Sequence, residues 1–505
     1  MSVSSFLKSV LLLLALLLPS CGFAQKLIEY QAGIGSRDPE NSDLWILYNR
    51  VRATHEGMVL YADSAILNTK QNDFTAFNNI RIELTDTTTI WGDQLFYDGN
   101  TRVVDIWADT VLFIDGKTEL RTAHLSFDRN ANVATYNTWG HTISNGRVLD
   151  SREGNYNATT KIFFIYRKVS LSDSSMRLVT DTLLFNTVSN VADFVSPTYI
   201  YTDSTTIYSE YGNYNTDTRY AVSTKNSRVQ NDEKYLTCDT LYFDDPSQHG
   251  RAFGHVVILD SLNDITCMGR YGETDQLQHY SFVTDSALVI FVDKEDSVFL
   301  HADTIRVRND DSSQFKSVSA FYHVKVFRND AQGMCDSLFY SVPDSLIMLF
   351  KNPVLWYENY QCSADTIFVF HDTAGISKTC FFSNLFVAEC VDSLKFNQVK
   401  GRNGVVYFAE GEPSYGDVLG NAQMVYYITE EDSAGGLSLV GVNAGIGSDM
   451  RVYFQKRQLE RLVTFGKPDM HTYPLKSLPE ELNRLPGFSW LEHRRPHSRY
   501  QIFSW

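Results

Sequence analysis

Hydrophobic and polar residues alternate with period two along most of the chain. After a recurring aspartate the next position is polar: Ser64, Gln94, Thr182, Thr240, Thr304, Ser337 and Thr366. The position after that is apolar: Ala65, Leu95, Leu183, Leu241, Ile305, Leu338 and Ile367. Two residues further on, Leu67, Tyr97, Phe185, Phe243, Val307, Tyr340 and Val369 are apolar again. A strand with one wet face and one dry face produces this pattern. Intervening stretches such as Lys161-Ile162-Phe163-Phe164-Ile165-Tyr166 also read as strands. Turn residues cluster between them, as in Asp98-Gly99-Asn100 and Asp128-Arg129-Asn130-Ala131-Asn132. Long amphipathic helices are absent from the pattern.

The alternation is organised as a repeat. Asp181-Thr182-Leu183-Leu184-Phe185 and Asp239-Thr240-Leu241-Tyr242-Phe243 stand 58 residues apart. Gly154-Asn155-Tyr156-Asn157 and Gly212-Asn213-Tyr214-Asn215 stand 58 apart as well, interleaved with the first pair. The underlying unit is therefore about 29 residues. Motif aspartates fall at Asp63, Asp93, Asp181, Asp239, Asp303, Asp336 and Asp365, with weaker copies near His124, Gly154, Tyr211 and Arg270. A degenerate copy follows near Arg402, making roughly a dozen units up to about residue 440. Such a unit cannot bury its dry face alone. Stacking the units builds a continuous apolar inner surface. The fold expected is all-β, with segments 25–180 and 181–440 built of repeats and 441–505 forming a final hairpin and an irregular tail.

Charge narrows the partners. The chain carries 44 Lys and Arg against 60 Asp and Glu, a net charge of −16. That balance disfavours nucleic acid, which needs a basic footprint, and broad adhesion to an anionic membrane surface. At 43% hydrophobic and 13% aromatic, the chain is too apolar for disorder. At the N-terminus, Lys8 precedes the apolar run Val10 to Leu18, the right length for a signal-peptide core and too short to span a bilayer. Gly22-Phe23-Ala24 is a small-x-small cleavage site, making residues 1–24 a signal peptide. Leu18-Pro19-Ser20-Cys21 offers a competing lipobox that would leave a lipid on Cys21. Proline inside a lipobox is awkward, so a soluble periplasmic form is preferred, with outer-membrane association through Cys21 as the alternative.

Cys238, Cys267, Cys335, Cys362, Cys380 and Cys390 remain after cleavage. They form no C-x-x-C pair, which leaves zinc and thioredoxin-like chemistry unsupported. Cys238 and Cys267 lie one repeat apart, so a bridge between stacked strands is one reading and small apolar strand residues the other. No catalytic or cofactor motif is complete, and the chain is expected to be no enzyme and to hold no cofactor or metal. Ala32-Gly33-Ile34-Gly35-Ser36 and Ala444-Gly445-Ile446-Gly447-Ser448 complete no dinucleotide fingerprint and read as turns. The repeated Asp suits a structural role, bonded to backbone N–H groups at a turn or at the start of a strand. One carboxylate per repeat is not how a catalytic pair is built.

The tail has its own logic. Met450–Phe454 and Leu459–Phe465 read as a hairpin, and Ser477-Leu478-Pro479-Glu480 matches a helix-capping box. Gly487 would end a short helix through Leu482 and Leu485. The aromatic and basic residues that follow, from Trp490 to Trp505, suit an end-cap over the last open strand edge or a docking peptide.

An exported chain of strand repeats carrying Tyr61-Ala62-Asp63-Ser64-Ala65-Ile66, Gly92-Asp93-Gln94-Leu95-Phe96-Tyr97 and His301-Ala302-Asp303-Thr304-Ile305 resembles the OstA-like, LptA-type family of lipopolysaccharide transport. Gly487-Phe488-Ser489-Trp490 through Arg494-Arg495-Pro496 to Ile502-Phe503 resembles the ending of the long Bacteroidetes members. The resemblance implies an elongated β-jellyroll shaped like a taco shell, whose apolar trough shields lipid A acyl chains on the way to the outer membrane. It implies as partners lipopolysaccharide and other transport proteins joined edge to edge, including an outer-membrane translocon. The residues expected to line the trough are Leu95, Tyr97, Leu183, Phe185, Leu241, Phe243, Ile305, Val307, Leu338, Tyr340, Ile367 and Val369. The competing reading is a secreted parallel β-helix that binds or cleaves polysaccharide. Whether the inner columns form a closed core or an open groove separates the two.

Overall fold

The computed structural model describes residues 26–505 apart from 293–295, 374, 393, 432–436 and 456–457. The proposed signal peptide and Cys21 lie outside the described residues. The chain is all-β, and its strands pair antiparallel throughout the described registers, as in the successive pairs from Leu44–His55 to Thr118–Asp128. A parallel β-helix, the competing reading, requires parallel neighbours and is excluded. No helix among the described residues is long and apolar enough to cross a membrane. The chain divides into two compact units, one ending at Ala192 and the other running Asp193–Trp505.

In the first unit the long strands do not run straight. Leu44–His55 changes register against Met58–Asn68 between Tyr48 and Val51. Asp73–Glu83 does so between Phe77 and Ile80, and Ile162–Ser172 between Tyr166 and Val169. At each break two consecutive residues are left-handed: Asn49 and Arg50, Asn78 and Asn79, Arg167 and Lys168. The left-handed pair bends the strand, so its two halves lie in two layers. Those layers face one another through the core. Phe113 of one layer meets Phe127 and Tyr156 of the other, at ring distances of 6.0 and 5.9 Å.

The bend explains the repeated aspartate. Asp63 accepts a hydrogen bond from Asn79 Nδ2 at 2.6 Å, and Asn79 is the second left-handed residue of the next strand. In the second unit His255 Nδ1 meets Asp239 at 2.9 Å, and His323 Nδ1 meets Asp303 at 2.9 Å. Asn384 Nδ2 meets both oxygens of Asp365 at 3.0 Å, and Lys351 Nζ lies 3.0 Å from Asp336. All four donors are left-handed. The role is structural as expected, but the position mostly is not. Asp63, Asp239, Asp303 and Asp336 sit in mid-strand, and only Asp365 stands at a strand entry; each clamps its neighbour's corner through a side chain and not through backbone N–H groups. Asp239 and His255 are 60% and 91% exposed, so water competes for the bond. Asp239→Ala is expected to cost less than about 1 kcal/mol in thermal unfolding. A loss of several kcal/mol would show that the corner depends on this clamp.

Turn duty falls to another column. Asp98 Oδ1 accepts the N–H groups of Asn100 and Thr101, and Asp128 Oδ1 those of Asn130 and Ala131. Asn157, Asn186 and Asn215 repeat the arrangement with the residues two and three places on. A side-chain oxygen that closes its own turn lets a four-residue loop recur once per repeat.

Two further expectations are corrected, and the open reading of Cys238 and Cys267 is decided. Ile34–Arg37 and Leu437–Gln455 are strands, so the two Ala-Gly-Ile-Gly-Ser stretches are not turns. In the second stretch glycine is favoured by close approach of backbone: a Cβ on Gly445 would lie 2.9 Å from the Asp469 carbonyl oxygen. Cys238 and Cys267 are free thiols. Strand His249–Asp260 lies between their strands, and Cys267 aligns across it with Leu236, so the two cysteines are more than about 9.6 Å apart and beyond the reach of a bridge. Burial pushes both thiols up to about 12. The capping box does not form. The helix is the single turn Glu480–Asn483, its N-cap is Pro479, and no side chain caps it.

Candidate functional site

The twelve residues expected to line a trough divide into two environments. Leu95, Tyr97, Leu183 and Phe185 in the first unit are at most 1% exposed. Their layers close on each other. The Tyr97 hydroxyl contacts His55 Nδ1 at 2.6 Å across the core and accepts from Arg129 at 2.8 Å. In the second unit Leu241, Phe243 and Ile305 are equally sealed, and Val307 is buried at 4% exposure. Further along, the layers separate. Leu338, Tyr340 and Val369 form part of the wall of a cavity of about 940 Å³. Ile367 is fully buried and does not reach it.

One wall of this cavity comes from Ala331–Ser341, Leu346–Phe350 and Thr366–Asp372, on which the predicted column lies. The facing wall comes from Val354–Tyr357, Leu385–Cys390 and Phe396–Gly401. Leu355, Val387 and Val399 line it and remain half-buried, as expected for side chains facing an unfilled space. The periodicity argument missed these residues because they lie outside the Asp-led strands. A signal was present. Val354-Leu355-Trp356-Tyr357 and Leu385-Phe386-Val387-Ala388 are apolar at every position, the mark of a strand covered on both faces.

The second face is covered by the tail. Phe386, Ala388, Val425 and Tyr427 are buried against Leu485, Leu478, Leu482, Phe488 and Trp490. Val354 and Trp356 pack with Met334 against Leu491. Three glutamines fix the tail's path. Gln398, fully buried, donates to Asn483 O at 3.1 Å and accepts from Leu485 N at 2.8 Å. Gln361 donates to Ser489 O at 2.6 Å and accepts from Leu491 N at 2.7 Å. Gln332 accepts from Arg495 Nε at 2.7 Å. Beyond them Lys325 Nζ donates to the carbonyls of Arg494 and Ser504 at 3.2 and 2.5 Å, and burial lowers its pKa. The expectation of a cap on the last strand edge is therefore corrected. The tail is a strap laid across the outer face of the cavity wall, because Gln361 and Gln398 each offer a peptide-like donor and acceptor to an extended segment, and Gln332 an acceptor to Arg495.

The cavity's electrostatics suit an uncharged chain. Cys362 in the wall is pushed up to about 12 by burial, which keeps it a neutral thiol. Burial, then the charge of Glu389, raises the pKa of Tyr360 and of Tyr426, so both hydroxyls stay neutral as well. Arg328 is paired with Asp330. Glu389 accepts a hydrogen bond from Asn397 Nδ2 at 2.8 Å. What remains is mainly Leu, Ile, Val, Phe and Tyr surface.

Comparison with known proteins bears on the family. No curated protein matches the chain. Among solved structures, the chain is similar to LptH of Pseudomonas aeruginosa, the LptA-homologous periplasmic component of the lipopolysaccharide transport device. The similarity covers 29% of this chain and 93% of LptH, at 11% identity and a TM-score of 0.17. The family model for OstA-like proteins matches residues 27–181 and again 161–239. The two matches overlap, as a repeated module requires. Together the matches span residues 27–239, and over that segment the chain is similar to OstA-like proteins.

Proposed function

We propose that this protein works in the periplasm as a carrier of lipopolysaccharide during transport to the outer membrane, and that the cavity of the second unit shields lipid A acyl chains. The observation that carries the reading is the apolar cavity of about 940 Å³, walled by Leu338, Tyr340 and Val369 on one side and Leu355, Val387 and Val399 on the other. The match of residues 27–239 to the family model for OstA-like proteins supports it. A chain of net charge −16 is poorly suited to holding a phosphorylated glycolipid through its headgroup over a broad surface. It can hold such a lipid by its tails, at about 0.8 kcal/mol per buried CH₂. Other transport proteins joined edge to edge, with an outer-membrane translocon at the far end, would complete the route.

The test is photo-crosslinking. The purified protein is incubated with lipopolysaccharide, with a photoreactive residue placed singly at Leu338, Leu355, Leu183 or Leu241, and at Ser337 as an outward control. Leu338 and Leu355 are expected to capture the lipid. Leu183 and Leu241 are fully buried and are expected to capture none. Capture at Ser337 alone, or at no position, would defeat the proposal.

A further inference from the structure

The outer face of the second unit carries a different chemistry. Tyr242, Arg251, Glu273, Phe282 and Arg306 are direct cross-strand neighbours on five successive strands, from Lys234–Asp244 to Val298–Asn309. They alternate along each strand with the buried columns, so they point away from the core. The Arg251 guanidinium lies 5.7 Å from the centre of the Tyr242 ring. That of Arg306 lies 5.3 Å from Tyr280 and 5.8 Å from Phe282. A guanidinium held over a ring spends its face on stacking and keeps its in-plane N–H groups for a ligand.

This row ends in a depression of about 770 Å³, lined by Arg306, Arg308, Lys316, Phe321 and Phe339 among others. None of Arg306, Arg308 and Lys316 has an ion-pair partner among the described residues, although the chain has far more carboxylates than cations. The two acids at the rim are turned elsewhere. Asp310 accepts the backbone N–H groups of Ser312 and Gln314 in its own loop. The Asp311 side chain stands fully in solvent, 3.8 Å from His279. Phe321 is 44% exposed and presents an uncovered aromatic surface beside the cations. Three free cations call for an anion with several oxygens. An exposed ring beside them calls for a flat C–H surface. A phosphorylated sugar carries both on one small molecule.

We propose that this depression binds a phosphorylated sugar, with the phosphate on Arg306, Arg308 and Lys316 and the sugar ring against Phe321. The site lies on the opposite side of the sheet from the buried columns and does not depend on the acyl-chain reading of the cavity.

Glucose 1-phosphate, glucose and inorganic phosphate serve as probes in separate calorimetric titrations of the full chain. Glucose 1-phosphate is expected to bind at least about tenfold more tightly than either fragment, because only it engages cations and ring together. Arg306→Gln and Phe321→Ala, both at the surface and checked for parental circular dichroism, are each expected to weaken that binding about tenfold. A photoreactive residue at Leu338, in the cavity, is expected to leave it unchanged. Inorganic phosphate binding as tightly as glucose 1-phosphate would reduce the site to a bare anion site and overturn the proposal. So would the lack of saturation by glucose 1-phosphate, or unchanged affinity in both variants.

Discussion

Phe163→Ala is expected to unfold part of the first unit locally while leaving distant strands intact. Phe163 is fully buried, with its ring centre 4.4 Å from that of Tyr156, which in turn meets Phe113 of the facing layer at 5.9 Å. It is the direct cross-strand partner of Tyr156 on one side and of Phe185 on the other. Removing the ring deletes the contact that joins three strands and leaves a cavity that closed layers cannot collapse into. The expected cost is about 3–5 kcal/mol. Each strand touches mainly its sequence neighbours, so the damage should stay near its origin, as in other repeat architectures. Amide hydrogen exchange is the suitable measurement. Protection in Glu153–Asn157, Ile162–Ser172 and Met176–Asn186 should fall about a hundredfold or more, while Leu44–His55 is little changed. A uniform loss along the unit would instead mean that its strands unfold as one cooperative body.

The second large effect is expected at Gln398. Gln398→Leu keeps the volume of the side chain and removes both of its hydrogen bonds to the strap. Leu485 N is then left in a buried place without its partner, at about 1–3 kcal/mol, while Asn483 O, at an exposed residue, still accepts from Arg484 Nη1 at 2.7 Å. A cost of this size should release the strap over Gln398 and uncover the apolar face formed by Phe386, Ala388 and Tyr427. Limited proteolysis reads the result directly. Cleavage between Leu475 and Leu491 is expected to accelerate by about thirtyfold or more relative to the parent, following the population of the open form. Cleavage at the parental rate would show that Leu485 and Phe488 hold the strap without the glutamine.

Much of the architecture was legible because it is local. Alternation with period two needs only the pleat of a strand. The recurrence of Asp98, Asp128, Asn157, Asn186 and Asn215 is a turn column that any reader of turn chemistry can find, although the more conspicuous motif aspartate drew the attention first. The motif aspartate is structural as expected, but of the positions expected for it, a turn or a strand entry, only Asp365 takes one. Its partners, Asn79, His255, His323, Lys351 and Asn384, belong to the following strand. They become partners only once that strand bends.

The sequence by itself determined the strand period, the repeat of about 29 residues, the all-β class and the turns. It did so because each follows from residues within one unit. Only the tertiary structure decided where the dry face meets another dry face and where it meets a space. Leu183 and Leu338 occupy the same column of the same motif, yet one is sealed in a closed core and the other walls a cavity. The difference is the separation of the two layers, which no residue encodes locally. The strap follows the same rule. Gln332, Gln361 and Gln398 read as polar residues on wet strand faces, and they are buried because a segment more than eighty residues further along the chain supplies the donors and acceptors that water would otherwise provide.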